Sequence, residues 1–379
     1  MKFGIIPGVP VPKPWTRHKE SDAFWADVEK CVVADEVGFD YVWAAEHHFL
    51  EEYSHCSSSD LFLMAVASRT ERIRLATGII NLCPPINHPV RVAERMAMLD
   101  IFSNGRLDVG TGRGSGSLEV NGFGVTNDVS KEMWAEAIAA LPSMWTSENF
   151  SWDGKWFSVP ERNVLPKPVQ TPHPPLWVTA GNMSTASVAG KMGLGLAMFG
   201  FVPPPQIREP IEAYRTAIAD AVPVGEFVNE QTMVGTIALC LDDGDRAVAL
   251  WREKIAQMKP HLPVYFDTVF PPPEPLNGAV SQSTYRRWVD EAASASSASS
   301  GSVRLALQAP DPESVAHSEL INQGMCVGGP EDVIKVIKAY EEVGVDQVAL
   351  SFGHGLNLPH DLLLESIRTI GESVISHWR

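Results

Sequence analysis

One short unit recurs along the chain, and it limits the possible folds more than any other feature. Glu36-Val37-Gly38-Phe39-Asp40-Tyr41-Val42 returns as Glu342-Val343-Gly344-Val345-Asp346-Gln347-Val348, and Lys191-Met192-Gly193-Leu194-Gly195-Leu196-Ala197-Met198 is a looser third copy. Each copy predicts the end of a helix, a glycine stop and a buried strand. Glycine serves the stop because it enters the left-handed conformation without a steric cost. Repeated helix–glycine–strand units predict a parallel sheet alternating with helices. Strands are expected near residues 2, 39, 73, 106, 176, 194, 233 and 346. Helices fit between them, for example over Ser21 to Val37, where Phe24, Val28, Cys31 and Val32 share a face. Eight parallel strands, each followed by a helix, predict an α/β fold of the closed (β/α)8 TIM-barrel type, with an open doubly wound sheet as the alternative.

The length of 379 residues allows two or three ordinary domains, but barrels often exceed that prior as one unit. Residues 1–379 are therefore read as a single barrel domain with two insertions, at about 149–175 and 259–323. The first holds Trp152-Asp153-Gly154-Lys155-Trp156-Phe157, which predicts a hairpin with an Asp-Gly turn. The second holds Pro271-Pro272-Pro273 and a tract from Ala292 to Ser302 that is nearly all Ala, Ser and Gly. Such a tract buries little apolar surface and is expected to be a partly mobile lid.

Composition excludes several classes. With 45% hydrophobic and 20% charged residues the chain is globular rather than disordered or fibrous. Its densest apolar run, Leu61 to Ala67, is far too short to span a bilayer, and the N-terminus has no secretory pattern. A net charge of −16 argues against a nucleic-acid surface, so any anionic ligand must be held by a local pocket. The five cysteines are scattered without a Cys-x-x-Cys pair, which predicts reduced thiols in the cytoplasm and no structural zinc.

Barrel active sites lie where strands end, so chemistry is sought there. The second strand runs into Glu46-His47-His48-Phe49. Adjacent side chains of an extended segment point to opposite sides, so one imidazole can face a pocket while the other is packed. A structural pair satisfied by Glu46 and a general base are both open readings. Neighbouring strand histidines do not converge on one metal, and no metal site is expected. After the third strand, His88-Pro89 predicts a helix start with proline in the first position. After the fourth, Gly110, Gly112, Gly114 and Gly116 alternate around Arg113, giving close backbone approach beside one fixed positive charge. No dinucleotide fingerprint is completed, because serines stand at positions 115 and 117. After the fifth, Gly181-Asn182-Met183-Ser184-Thr185 opens a helix whose amide groups and hydroxyls can hold a phosphate or serve as an ordinary cap.

The Glu46-His47-His48-Phe49 segment is followed in order by His88-Pro89-Val90-Arg91-Val92-Ala93-Glu94, Leu99-Asp100, Ser103-Asn104-Gly105-Arg106 and Gly112-Arg113-Gly114. Pro175-Leu176-Trp177-Val178-Thr179-Ala180 and Gly328-Gly329-Pro330-Glu331-Asp332-Val333 come later. Together these resemble the bacterial luciferase-like flavin-dependent monooxygenases over nearly the whole chain. The resemblance implies a TIM barrel, reduced FMN from a separate flavin reductase, O2 as co-substrate, and oxygen insertion through a flavin C4a-peroxide, commonly in a homodimer. It implies that His47 faces the flavin as acid, base or peroxide stabiliser, and that Arg113 lies beside the flavin phosphate with Gly181, Asn182, Ser184 and Thr185. Ile80 and Asn81 match a bulge that supports the ring, where the family often has a non-prolyl cis peptide. Phe199 and His354 are candidate pocket residues. Gly112 stands where light-emitting luciferases have a reactive cysteine, which argues against light emission. The absence of an arginine cluster favours a small, largely apolar organic substrate over a sulfonate. Two other readings share the scaffold: a deazaflavin (F420) oxidoreductase that transfers hydride, and a catalytically silent flavin-binding member.

Overall fold

A computed structural model of the chain describes residues 1–114, 116–180, 183–199, 202–258, 315–353 and 357–379. Its strands are β1 (Lys2–Ile6), β2 (Tyr41–Ala44), β3 (Arg74–Thr77), a short β4 (Ile80–Asn81), β5 (Leu107–Gly112), β6 (Phe150–Asp153) and β7 (Ser158–Arg162). The series continues with β8 (Leu176–Thr179), β9 (Gly195–Phe199), β10 (Thr232–Cys240), β11 (Cys326–Gly328) and β12 (Gln347–Phe352). Eight of them pair in parallel around a ring in the order β1, β2, β3, β5, β8, β9, β10, β12, and β12 pairs back with β1. The ring is the closed (β/α)8 barrel that the repeat predicts, and its staves start within two residues of the expected positions.

The helices are α1 (Lys19–Val37), α2 (Ser59–Ala67), α3 (Pro89–Phe102), α4 (Ser117–Asn121), α5 (Asn127–Thr146), α6 (Met183–Lys191) and α7 (Pro204–Ile218). They continue with α8 (Gly244–Met258), α9 (His317–Asn322), α10 (Pro330–Glu342) and α11 (His360–Thr369), the last running on into a π turn and a 3-10 turn. Local chemistry sets their ends. Gly38 closes α1 at φ +104°, donating to the carbonyls of Ala34 and Asp35. His88 caps α3 with its imidazole accepting from Val90 N–H, and Pro89 is the first helical residue, as its sequence predicts. Helix α2 covers the dense apolar run, to which the strand–helix repeat assigns no element.

The barrel interior is filled by Ile6, Tyr41, Trp43, Ala76, Trp177, Ala197, Met233 and Ala349. Trp43 and Trp177 meet edge to face with ring centres 5.0 Å apart. Two indoles fit because the facing positions are small. A Cβ on Gly4 would lie 3.0 Å from the Trp43 ring, and one on Gly110 would lie 2.1 Å from the Thr77 carbonyl oxygen. Large against small is how a barrel closes without voids. Truncating either buried tryptophan costs about 3–5 kcal/mol by this reasoning.

The segment 149–175 forms the expected hairpin, but its strands are joined by four residues, Gly154 to Phe157, rather than by a two-residue Asp-Gly turn. The reason lies on α5. The Glu136 carboxylate accepts the backbone N–H groups of Lys155, Trp156 and Phe157 and so wraps the connection around itself. The proline-rich return then crosses the foot of the barrel. There the fully buried Asp100 carboxylate accepts from Val169 N (2.8 Å), Gln170 N (2.9 Å) and Gln170 Nε2 (2.7 Å). Of the second insertion, 259–314 lies outside the described residues, and 315–323 holds α9.

Candidate active site at the barrel mouth

The histidine pair lies three residues past the end of β2, and its two rings are held by different carboxylates. His47 Nδ1 is 3.1 Å from Glu119 Oε1, and the same oxygen accepts the backbone N–H of His48 at 2.9 Å. His48 Nε2 is 3.1 Å from Glu46 Oε1, and its ring meets Phe123 edge-on at 4.8 Å. Glu46 is fixed in turn by Asn87 Nδ2 at 2.9 Å, which also donates to the Asn81 carbonyl at 2.9 Å. Arg95 Nη2 donates to Asn87 Oδ1 at 2.8 Å, and Arg95 Nε lies 3.0 Å from Asp60 Oδ2. The His48 side chain is 17% exposed and that of His47 16%, so burial does not separate the two rings, and the Glu46 contact of His48 is the one that the structural reading of the pair expects. Each ring thus has one nitrogen held by a carboxylate and, among the described residues, one with no hydrogen-bond partner: Nε2 of His47 and Nδ1 of His48. The His47 ring also meets Tyr53 edge-on at 5.5 Å. Burial, and the nearby Glu119 carboxylate, push the Tyr53 phenol well above its ordinary range, so Tyr53 stays neutral.

Beyond β3, the Gly78–Ile79 peptide is cis and opens the bulge that carries Ile80 and Asn81. Both side chains are buried, and β4 pairs with the top of β5, Ile80 beside Thr111 and Asn81 beside Gly112. Asn81 Oδ1 accepts from Cys83 N at 3.1 Å. Phe199, at the end of β9, lies over this peptide: a Cβ on Gly78 would sit 3.0 Å from the Phe199 ring tip. Phe199 is half-buried, on the inner rim.

Arg113 leaves the top of β5 with its side chain exposed. Its Nη1 donates to Ser130 Oγ at 3.1 Å, and among the described residues no carboxylate pairs with it. Thr111 stands beside Val178 in the β5–β8 pairing, so Arg113 and the start of α6 leave neighbouring staves at one level. Ser184 is exposed and Thr185 half-buried in the first turn of that helix. Gly181, Asn182 and His354 lie outside the described residues. The glycines around Arg113 have packing reasons of their own. A Cβ on Gly112 would press on Ile79 Cδ1 at 3.0 Å, and Gly114, at φ +82°, faces Asn81 Nδ2 and Val120 Cγ1 at 2.8 Å. Burial pushes the neighbouring Cys83 thiol up to about 11, with Arg113 pulling the other way, so it is not a nucleophile at neutral pH.

His47, the Gly78–Ile79 peptide, Arg113, the first turn of α6 and Phe199 thus all follow or end barrel strands at their carboxyl ends. A model of the luciferase-like monooxygenase family matches residues 2–347. The chain belongs to this family. It is 32% identical over 168 residues to the oxygenase component of the flavin-dependent trigonelline monooxygenase of Acinetobacter baylyi, a stretch covering 44% of this chain and 46% of that protein. The F420-dependent glucose-6-phosphate dehydrogenase of Amycolatopsis mediterranei is 25% identical over 326 residues, covering 85% of this chain and 86% of that one. Among solved structures, the monooxygenase RslO1 from Streptomyces bottropensis superposes with a TM-score of 0.75 at 25% identity, and the match covers 100% of both chains. The chain spans about half the length of several curated relatives it matches. Flavin-dependent and F420-dependent relatives therefore both occur around this member of the family.

Among the described residues no group of three or more His, Cys, Asp or Glu could hold a metal, and no helix is long and apolar enough to cross a membrane. An open pocket of about 690 Å³ lies between the N-termini of α8 and α10, lined by Asp242, Asp243, Asp245, Glu331 and Asp332. It holds none of the expected site residues, and its carboxylates would repel an anion. Sequence reasoning missed Glu119, the residue that holds His47. The usable signal was an acid placed shortly after a glycine-rich strand end, where the chain must turn back on its neighbours.

Proposed function

We propose that this protein is the oxygenase of a two-component system, taking reduced FMN from a separate flavin reductase and using O2 to oxygenate a small, largely apolar organic substrate. The observation that carries the reading is the presence, at one barrel mouth, of the His47 Nε2 with no hydrogen-bond partner and the Arg113 guanidinium with no carboxylate partner among the described residues. The donor set fits the cofactor. Arg113 and the first turn of α6, with the Ser184 and Thr185 hydroxyls, suit a terminal phosphate by charge and by helix polarity. Gly181 and Asn182 precede that turn in sequence and belong to the same proposal. Phe199 and the Gly78–Ile79 peptide, backed by Ile80 and Asn81, offer an apolar floor for a flat ring. Bound reduced FMN would supply the electrons that activate O2. The chain supplies the rest: Arg113 orients the phosphate, Phe199 helps exclude water, and His47 exchanges a proton at Nε2, which suits an imidazole near neutral pH. His354 is proposed for the substrate side of the pocket. The relative named as an oxygenase component supports a separate reductase.

A second reading, hydride transfer with F420, is favoured by the dehydrogenase relative that matches most of the chain. Anaerobic titration separates the two. Photoreduced FMN should bind with a dissociation constant on the order of micromolar, while reduced F420 should bind far more weakly. Tight F420 binding without FMN binding overturns the proposal, and so does binding of neither.

The protein is further proposed to work as a homodimer. Helices α2 and α3 turn apolar side chains outward, with Leu61 71% and Phe102 65% exposed. Phe102→Asp should convert a dimer into a monomer by light scattering, and a monomeric wild-type protein would refute the assembly.

A further inference from the structure

The function of the glycine-rich strand end extends past Arg113. The turn through Gly114 sends the chain back over the histidine segment. Val120 and Asn81 occupy the space a Cβ would need at Gly114, and the Phe49 ring occupies the space at Gly122, where a Cβ would lie 2.2 Å from it. Phe123 packs on His48 at 4.8 Å and on Phe49 at 5.4 Å. The stretch from Ser117 to Gly124 is therefore a plate laid on residues 47–49, and Glu119 is its point of contact with the imidazole. The Glu119 side chain is 6% exposed and that of His47 is 16% exposed.

One carboxylate oxygen receives two neighbours here. The His48 backbone N–H can only donate, so Oε1 acts as an acceptor, and His47 Nδ1 at 3.1 Å must then carry a proton. The His47 backbone N–H donates to the Cys56 carbonyl at 2.9 Å, which fixes the ring's root. We propose that Glu119 is the positioning residue of the site: it holds His47 as the Nδ1–H tautomer and so assigns all proton exchange to Nε2. The inference rests on the reading of His47 as the proton-exchanging group, but its first test does not.

That test is nitrogen-15 NMR of the full-length protein without flavin, at about pH 8.5, where an ordinary imidazole is neutral. His47→Asn identifies the signals. Wild type should show the Nδ1–H form, as should Glu119→Gln, whose amide oxygen still accepts. Glu119→Ala should move the signal toward the Nε2–H form that an unconstrained imidazole prefers. An Nε2–H wild type, or an unchanged Glu119→Ala spectrum, overturns the proposal. Melting curves check that each variant is folded, and the Gln variant keeps the test informative should the Ala variant fail to fold.

Turnover with reduced FMN supplies the second readout. Glu119→Ala should lower kcat by on the order of 10²-fold, within the span of general acid–base effects, with KM for reduced FMN nearly unchanged and activity restored by Gln. A KM effect alone, or no rescue by Gln, means the carboxylate acts otherwise and overturns the assignment. A correct tautomer with a fully active His47→Ala would leave the positioning intact and refute the catalytic reading, so the two failures are distinguishable.

Discussion

Two histidines stand at opposite ends of the barrel and differ in how many ring nitrogens the fold uses. At the foot, His173 Nδ1 lies 2.8 Å from the Pro174 carbonyl, and the Glu226 N–H donates to its Nε2 at 3.0 Å. Its ring stacks on Phe227 with centres 4.9 Å apart. At the mouth, His47 has one nitrogen bound to Glu119 and the other without a partner among the described residues. The foot spends the whole hydrogen-bonding capacity of its imidazole on structure. At the mouth the described residues use one of the two nitrogens. The same contrast holds for arginine. Arg106 at the foot donates to Ser103, Thr70, Ile73 and Ala67, whereas Arg113 at the mouth makes, among the described residues, a single side-chain bond to Ser130. The proposed site is thus marked by side chains whose hydrogen-bonding capacity the described residues leave partly unfilled.

The largest expected break in this contrast comes from His47→Ala. Product formation should fall by about 10²–10⁴-fold while reduced FMN still binds and the melting temperature stays within a few degrees. Steady-state product yield and anaerobic titration measure both, and a normal yield would remove His47 from the chemistry.

Asp100→Ala attacks the foot instead. It removes the acceptor of the Val169 and Gln170 backbone N–H groups and leaves the Gln170 amide with the Leu107 carbonyl, and should cost about 1–3 kcal/mol in denaturant unfolding with little change in kcat at a temperature where the variant is folded. A large kcat loss in a stable variant would show that the two ends are not separable.

Arg113→Ala is a smaller effect, at the mouth. A charge-assisted bond contributes about 1.5–3 kcal/mol, so FMN affinity should drop by on the order of 10-fold to 100-fold while riboflavin affinity barely moves. Equal losses for the two flavins would remove the phosphate assignment.

These contrasts also show what the sequence could and could not tell. The staves were legible because glycine stops and buried runs are local: Gly38 before β2 and Gly344 before β12 each announce their strand. His47 and Arg113 could be singled out as candidates because they sit at strand ends, where the fold class itself points. Glu119 was not. Its partner is 72 positions away, and only the closed ring and the turn at Gly114 bring the two together. The four-residue hairpin connection was missed for the same reason, since the Glu136 carboxylate that shapes it belongs to a different element. The helix α2 was missed because a seven-residue apolar run carries no periodicity that separates helix from strand.

The finest test of the contrast is a pH titration of stability. Burial holds the His173 imidazole below its ordinary value, with the Pro174 carbonyl and Glu226 pulling weakly the other way. A proton on Nε2 would also face the Glu226 N–H, donor against donor, which acts in the same direction as burial. The unfolded chain takes up that proton near pH 6.5, whereas the folded chain does not until lower pH. The stability that His173 contributes is therefore complete above about pH 6.5 and is lost as pH falls below it, by up to about 1.4 kcal/mol per pH unit. Urea unfolding of wild type and His173→Asn between about pH 7.5 and 5.5 isolates the effect, because ordinary carboxylates stay ionised across most of that window. Asn will lower stability at every pH, since it cannot copy both bonds, but its curve should be flatter than that of wild type. Parallel curves would mean that His173 takes up its proton as readily in the fold as out of it, and that the foot imidazole is not as fully committed as its two bonds imply.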